Sequence, residues 1–220
     1  MARMARVVVP DLPHHVTQRG NRRQQTFFSP QDYVAYMSLL STAKADAGVG
    51  IWAYCLMPNH VHLVVVPAQP DSLSRLFRDA HLRYTRRVNF REGWSGHLWQ
   101  ERFHSFVMDE RHLLSTVRYT ELNPVRAGLC NSPENWPWSS VHAHLCGADD
   151  TLVEVTPMMR RISDWRSYLG SAEPDAELDT IRTHARTGRP AGDETFVRQL
   201  EIRTGRRLRK QKTGPKIRVK

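Results

Sequence analysis

The sequence predicts an α+β fold: a ferredoxin-like split βαβ arrangement in which an antiparallel sheet carries helices on one face, followed by a C-terminal helical extension and a basic tail. Three observations lead there. The hydrophobic periodicity switches in the order strand, helix, two strands, helix, strand. The two middle strands are separated only by Met57-Pro58-Asn59-His60, which reads as a hairpin. Beyond residue 130 the pattern changes to short helical segments and ends in a run of cations.

The elements follow in chain order. His14 to Arg19 reads as a strand entered from Pro13. Ser29-Pro30-Gln31-Asp32 is a helix start, with a capping hydroxyl, a proline in the first turn and an acid three residues after the cap. Tyr33, Tyr36, Met37, Leu40 and Ala47 continue it at helical spacing, and Gly48 closes it. Ile51 to Leu56 and Val61 to Val66 are the hairpin strands. Leu73, Leu76, Phe77, Ala80, Tyr84 and Val88 mark a second amphipathic helix. Arg102 to Met108 is a further strand, and Glu110 to Asn123 a third helix stopped by Pro124. Short helices are predicted near 139–146, 157–168, 174–187 and 192–204. The expected division is a catalytic unit over 1–130, a helical extension over 131–204 and a tail over 205–220 that is disordered when free.

Composition narrows the function classes. The chain has 220 residues and a formal charge of +10, which favours a polyanionic partner, nucleic acid before an anionic membrane surface. No run of roughly 18 apolar residues exists, and Val7-Val8-Val9 is too short for a secretory apolar region, so a cytoplasmic protein without membrane partner is expected. Cys55, Cys130 and Cys146 lack metal-site spacing and read as reduced thiols. The absence of a G-x-x-x-x-G-K-[ST] loop argues against a nucleotide cofactor.

Two motifs can carry chemistry. In a strand, residues two apart share a face, so His60 and His62 would project together, near enough to share a metal ion. Spacing alone leaves an equal alternative, one core and one surface histidine. On the helix before Pro124, His112, Thr116, Tyr119 and Asn123 fall within about 60° of one another. This is either an exposed face with a half-buried tyrosine or a polar stripe presenting a nucleophile. Tyr84, at an apolar helical position, and Tyr54, beside the hairpin, are the alternative tyrosines.

The stretches Cys55-Leu56-Met57-Pro58-Asn59-His60-Val61-His62-Leu63 and Arg118-Tyr119-Thr120-Glu121-Leu122-Asn123-Pro124-Val125-Arg126-Ala127-Gly128 resemble the HUH single-tyrosine transposases, and more closely the REP-associated tyrosine transposases of bacteria. His15-Val16-Thr17-Gln18-Arg19-Gly20-Asn21, Gly96 to Phe103 and Trp136 to Ser140 match the same pattern in order. The resemblance implies that His60 and His62 bind a divalent cation, Mg²⁺ or Mn²⁺, with Asn123 as third ligand where the insertion-sequence branch has glutamine. It implies that Tyr119 is the nucleophile, giving a 5′-phosphotyrosine link and a free 3′-hydroxyl. The chemistry is coherent: imidazoles and a neutral amide leave open positions on a Lewis acid. A phenol with a pKa of about 10 needs such help to attack phosphorus.

DNA contacts are expected from Gln18, Arg19, Asn21, Arg22 and Arg23 after the first strand and from Arg75, Arg78 and Arg86 on the second helix. They are also expected from Arg189 in Thr187-Gly188-Arg189-Pro190, a minor-groove-arm pattern, and from Arg206, Arg207, Arg209 and Lys210. Trp94, Trp99 and Trp136 could stack on unpaired bases. The expected partner is single-stranded DNA or a DNA hairpin, bound by a monomer. The rival readings are a DNA- or RNA-binding module without cleavage and a metal-dependent phosphodiesterase using water.

Overall fold

In a computed structural model, residues 5–172 and 174–209 are described. Four strands, β1 (His14–Arg19), β2 (Val49–Met57), β3 (His60–Pro67) and β4 (His104–Val107), form one sheet in the order β2-β3-β1-β4. All three pairings are antiparallel. The expected α+β split βαβ order is present. Helices α1 (Pro30–Ala47) and α2 (Ser72–Glu92) link the strands as anticipated, and α3 (Glu110–Glu121) follows β4.

The helices, expected on one face, cover both. Alternation along the strands sends Val16, Tyr54, Leu56, Val61, Leu63 and Val65 into a core with α1 and α2. Ala53, Val64 and Phe106 point the other way, into a second core with Leu113 and Val117 of α3. The physical reason lies in β3: Val61 to Val65 is buried without interruption, and a strand buried on both sides needs a layer on each.

Beyond α3 come α4 (Asn123–Arg126), α5 (Val141–Cys146), α6 (Thr156–Met159), α7 (Trp165–Gly170), α8 (Asp175–Thr187) and α9 (Glu194–Thr204). This part of the chain adds to both cores, with Leu152, Val153 and Val155 between α5 and α6 joining the first and Met158, Trp165, Leu169 and Ile181 the second, while Leu200 of α9 packs in a third cluster with Val7, Val9 and Val107. The helix predicted near 157–168 is two pieces, because Asp164 caps a new helix by accepting from the Ser167 amide at 3.0 Å.

Two local expectations are corrected. Ser29 makes no capping bond; instead Asp32, fully buried, accepts from the Phe28 amide at 2.9 Å and from the Arg91 guanidinium. An acid in the first turn finds a long-range cation here, a partner the local pattern cannot show. The tyrosine helix ends at Glu121, not Asn123. Pro124 then lies in the first turn of α4, where a missing N–H costs nothing. Asn123 therefore begins a new helix.

Gly48, at φ 64°, ends α1 in the left-handed region. The three cysteines are free. Among the described residues, no helix is long and apolar enough to cross a membrane.

Candidate nuclease site

The antiparallel register fixes which side chains share the site face. Thr17 pairs with His62 and Arg19 with His60, and pairs directly opposite point the same way. Cys55 and Met57 flank the two histidines from β2. The imidazoles meet with ring centroids 4.9 Å apart, so the parity read from His-Val-His holds.

Each ring is held by its Nδ1. That of His60 lies 2.6 Å from the Asn59 carboxamide oxygen, and that of His62 lies 3.1 Å from Nε2 of His15. Both Nε2 atoms are thereby left to other partners. Burial, aided by the positive Arg19 nearby, lowers the His60 pKa to about 4. Burial, then the neighbouring His60 and His15, places His62 well below its ordinary value. Both rings are neutral at pH 7, the form whose lone pair binds a metal.

Tyr119 reaches the same place from α3. Its ring meets His62 edge-on at 5.7 Å between centroids and His15 at 6.2 Å. The Arg126 guanidinium covers the ring face at 4.4 Å and donates to the Tyr119 carbonyl. Arg182, on α8, approaches the Tyr119 side chain closely enough to interact with it electrostatically. A cavity of about 440 Å³ opens between these groups. Thr17, Gln18, Arg19, Arg23, Gln100 and His104 line one side, and Arg182, Ala185 and Arg186 of α8 the other.

The turn carrying Arg22 and Arg23 is strained: both have positive φ, 54° and 62°. Gly20 sets its path, since a Cβ there would lie 2.3 Å from the Gln24 carbonyl oxygen. Asn59 ties the turn to the hairpin by donating to the Arg23 carbonyl at 3.0 Å.

Of the sequence-predicted residues, His60, His62, Tyr119, Gln18, Arg19 and Arg23 converge on this cavity. Asn123 does not line it; its amide nitrogen is buried without a hydrogen-bond partner. Asn21 and Arg22 border a neighbouring hollow with Trp94. Arg78 and Arg86 are exposed on α2, and Arg75 there donates to the Asp46 carbonyl. Arg189 donates to the Leu208 carbonyl at 2.7 Å, Arg206 to those of Arg6 and Ala5, and Arg209 pairs with Glu201. These three cations hold the C-terminal segment in place. Arg207 is exposed, and Lys210 lies outside the described residues. Of the three tryptophans, Trp94 alone is exposed; Trp99 is buried and Trp136 donates to the Leu56 carbonyl.

The alternative tyrosines are spent elsewhere. Tyr54 and Tyr84 are fully buried, donating to Asp150 and to the Thr26 carbonyl, and burial raises both phenols far above their ordinary pKa. His15, Arg126, Arg182 and Arg186 are the participants that sequence reading missed. For His15 and Arg126 a signal existed, since both lie inside matching motifs.

The family described as "Transposase IS200 like" matches residues 8–123. The chain belongs to that family. The REP-associated tyrosine transposase of Escherichia coli (strain K12) is 26% identical over 123 residues, covering 56% of this chain and 71% of that protein. A relative of the same designation from Haemophilus influenzae is 28% identical over 127 residues, covering 51% of this chain and 64% of its own. A solved REP-associated tyrosine transposase bound to a REP hairpin superposes with a TM-score of 0.58 at 22% identity. That match covers 70% of this chain and 93% of the other, and it shows the shared fold. As a member of the IS200-like transposase family, the chain is a transposase-type enzyme; its matched region holds both histidines and Tyr119 and stops before α8.

Proposed function

We propose that this transposase nicks and rejoins single-stranded DNA at a hairpin-forming repeat, with Tyr119 as nucleophile. The observation that carries the reading is Tyr119 packed edge-on against His62, above a cavity ringed by arginines. Arg19 and Arg23 are placed to bind the phosphates of the strand entering the cavity. Tyr119 attacks the scissile phosphorus; the Tyr–O–P bond forms as the P–O3′ bond breaks. The 3′ oxygen ends with the proton that the phenol gives up. The bond energy stays in the 5′-phosphotyrosine, so rejoining needs no nucleotide. Arg126 over the ring and the flanking imidazoles fix the direction of the phenol oxygen, supplying orientation before the strand arrives.

The residues present suit a divalent cation such as Mg²⁺ or Mn²⁺. Two neutral imidazoles offer Nε2 on one side of the cavity, a donor pair with room for further ligands. Among the described residues, three or more His, Cys, Asp or Glu side chains nowhere gather into a metal cluster. His60 and His62 would hold the ion, with Asn123, outside the cavity lining here, as the third ligand that the resemblance implies, and the ion would supply charge for the phosphate oxygens. Tyr119 and both histidines come from one chain, which supports a monomer that completes its own site.

The test is incubation of labelled single-stranded hairpin DNA with wild type and Tyr119→Phe in Mn²⁺, followed by denaturing electrophoresis. The reading expects a covalent adduct in wild type alone. Binding without adduct would leave a non-catalytic module, and adduct-free cleavage that survives Tyr119→Phe would leave a water-using phosphodiesterase.

A further inference from the structure

The family match ends at residue 123, yet the cavity does not. One wall is α8, more than fifty residues further along. Helical spacing divides its faces: Leu178 and Ile181 are buried, while Arg182, Ala185 and Arg186 line the cavity. The helix is fixed on the tyrosine helix. Ser115 donates to the Glu177 carboxylate at 3.1 Å, and Arg118 pairs with the same group. Its C-terminal end is held where the Asp109 amide donates to the Ala191 carbonyl at 2.9 Å. The Arg182 guanidinium pairs with Asp179, one turn earlier at 3.1 Å, and lines the same cavity as the Tyr119 side chain, with which it interacts electrostatically.

We infer that Arg182 is a catalytic residue of the strand-transfer reaction, so that the C-terminal extension completes the active site. This rests on Tyr119 being the nucleophile. In the ground state Arg182 places a positive charge on the wall of the cavity that Tyr119 also lines. As the Tyr–O–P bond forms and the P–O3′ bond breaks, its fork can hold the attacking oxygen and a non-bridging phosphate oxygen together. A guanidinium stays protonated, so it takes no proton from the phenol; it supplies fixed charge and direction. In the reverse step the same contact stabilises the departing phenolate, so cleavage and rejoining depend on it alike. Asp179 pairs with the guanidinium on the solvent side of the helix, where more than half of the Arg182 side chain is exposed.

The experiment compares wild type, Tyr119→Phe, Arg182→Ala and Arg182→Lys on one labelled hairpin strand in Mn²⁺. Adduct formation is followed in single turnover, and DNA affinity is measured separately. Arg182→Ala should slow adduct formation on the order of 100-fold, the loss typical of one oxyanion donor. Affinity should change only a few-fold, melting temperature should stay near wild type, and Arg182→Lys should recover part of the rate. Rejoining from an isolated adduct should slow in parallel. An unchanged rate in Arg182→Ala, or a rate loss matched by an equal affinity loss, overturns the inference while leaving Tyr119 as nucleophile. Absence of adduct in wild type, or its persistence in Tyr119→Phe, overturns the Tyr119 reading itself.

Discussion

Nε2 of His15 lies 3.1 Å from Nδ1 of His62, with the two rings stacked at 5.3 Å and tilted by only 17°. A metal-binding histidine commonly has its second nitrogen held by a carboxylate or carbonyl; here another imidazole takes that place. Burial lowers the His15 pKa to about 3, so it is a neutral partner. An ion on Nε2 of His62 requires the ring proton on Nδ1, and His15 Nε2 is placed to accept it, which favours that tautomer.

His15→Ala should therefore weaken the site without touching the ion. The expected effect is a 10- to 100-fold rise in the Mn²⁺ concentration needed for half-maximal adduct formation. His15→Gln, which keeps a hydrogen-bonding group, should recover part of it. A metal titration of adduct yield reads both, and an unshifted midpoint in His15→Ala removes the positioning role.

Part of this was legible in advance. The parity of His60-Val61-His62 needs only the two-residue period of a strand, and the structure keeps it. His15 also lay in a predicted strand, but which face it shares depends on its pairing with Val64 and Phe106, and register is set by tertiary packing. The second helical layer was signalled by the apolar run Leu63-Val64-Val65-Val66, which a half-wet strand would not contain. The break at Leu122 was hidden, because Pro124 reads equally as the end of one helix or the start of another. Arg182 gave no signal at all, since its only local pattern is a solvated helix face.

Glu121 is the residue beneath the tyrosine that the motif reading passed over. It is fully buried, with its carboxylate taking Ser140 at 2.5 Å, His144 at 2.6 Å and the Trp165 indole at 2.8 Å. Those three partners sit on the segment after residue 130, so this one carboxylate joins the tyrosine helix to the extension. Glu121→Ala leaves His144 and the Trp165 indole unmatched, with Ser140 keeping only the Tyr54 carbonyl, and should cost about 3–5 kcal/mol. Glu121→Gln, able to satisfy some of them, should cost less. Urea denaturation checks the order, and near-equal losses for both would mean that packing rather than the hydrogen bonds matters.

The strand that carries His15 also contains a pH-sensitive contact. His14 is fully buried; Nε2 accepts from the Val9 amide at 3.1 Å and Nδ1 donates to the Leu12 carbonyl at 2.7 Å. Burial, partly opposed by the Leu12 bond, lowers its pKa from 6.5 to about 4. A protonated ring would set an N–H against the Val9 N–H. The folded state therefore resists the proton that the unfolded chain accepts below 6.5. Stability from this group is complete above that value and is lost as pH falls toward about 4, by at most about 1.4 kcal/mol for each pH unit. His14→Gln places no such titration in the core, so its stability should vary less steeply between pH 6.5 and 4. Equilibrium denaturation of both proteins across that window decides the matter: parallel curves would show that other groups govern the acid limb, and a shallower variant curve would assign that part of it to His14.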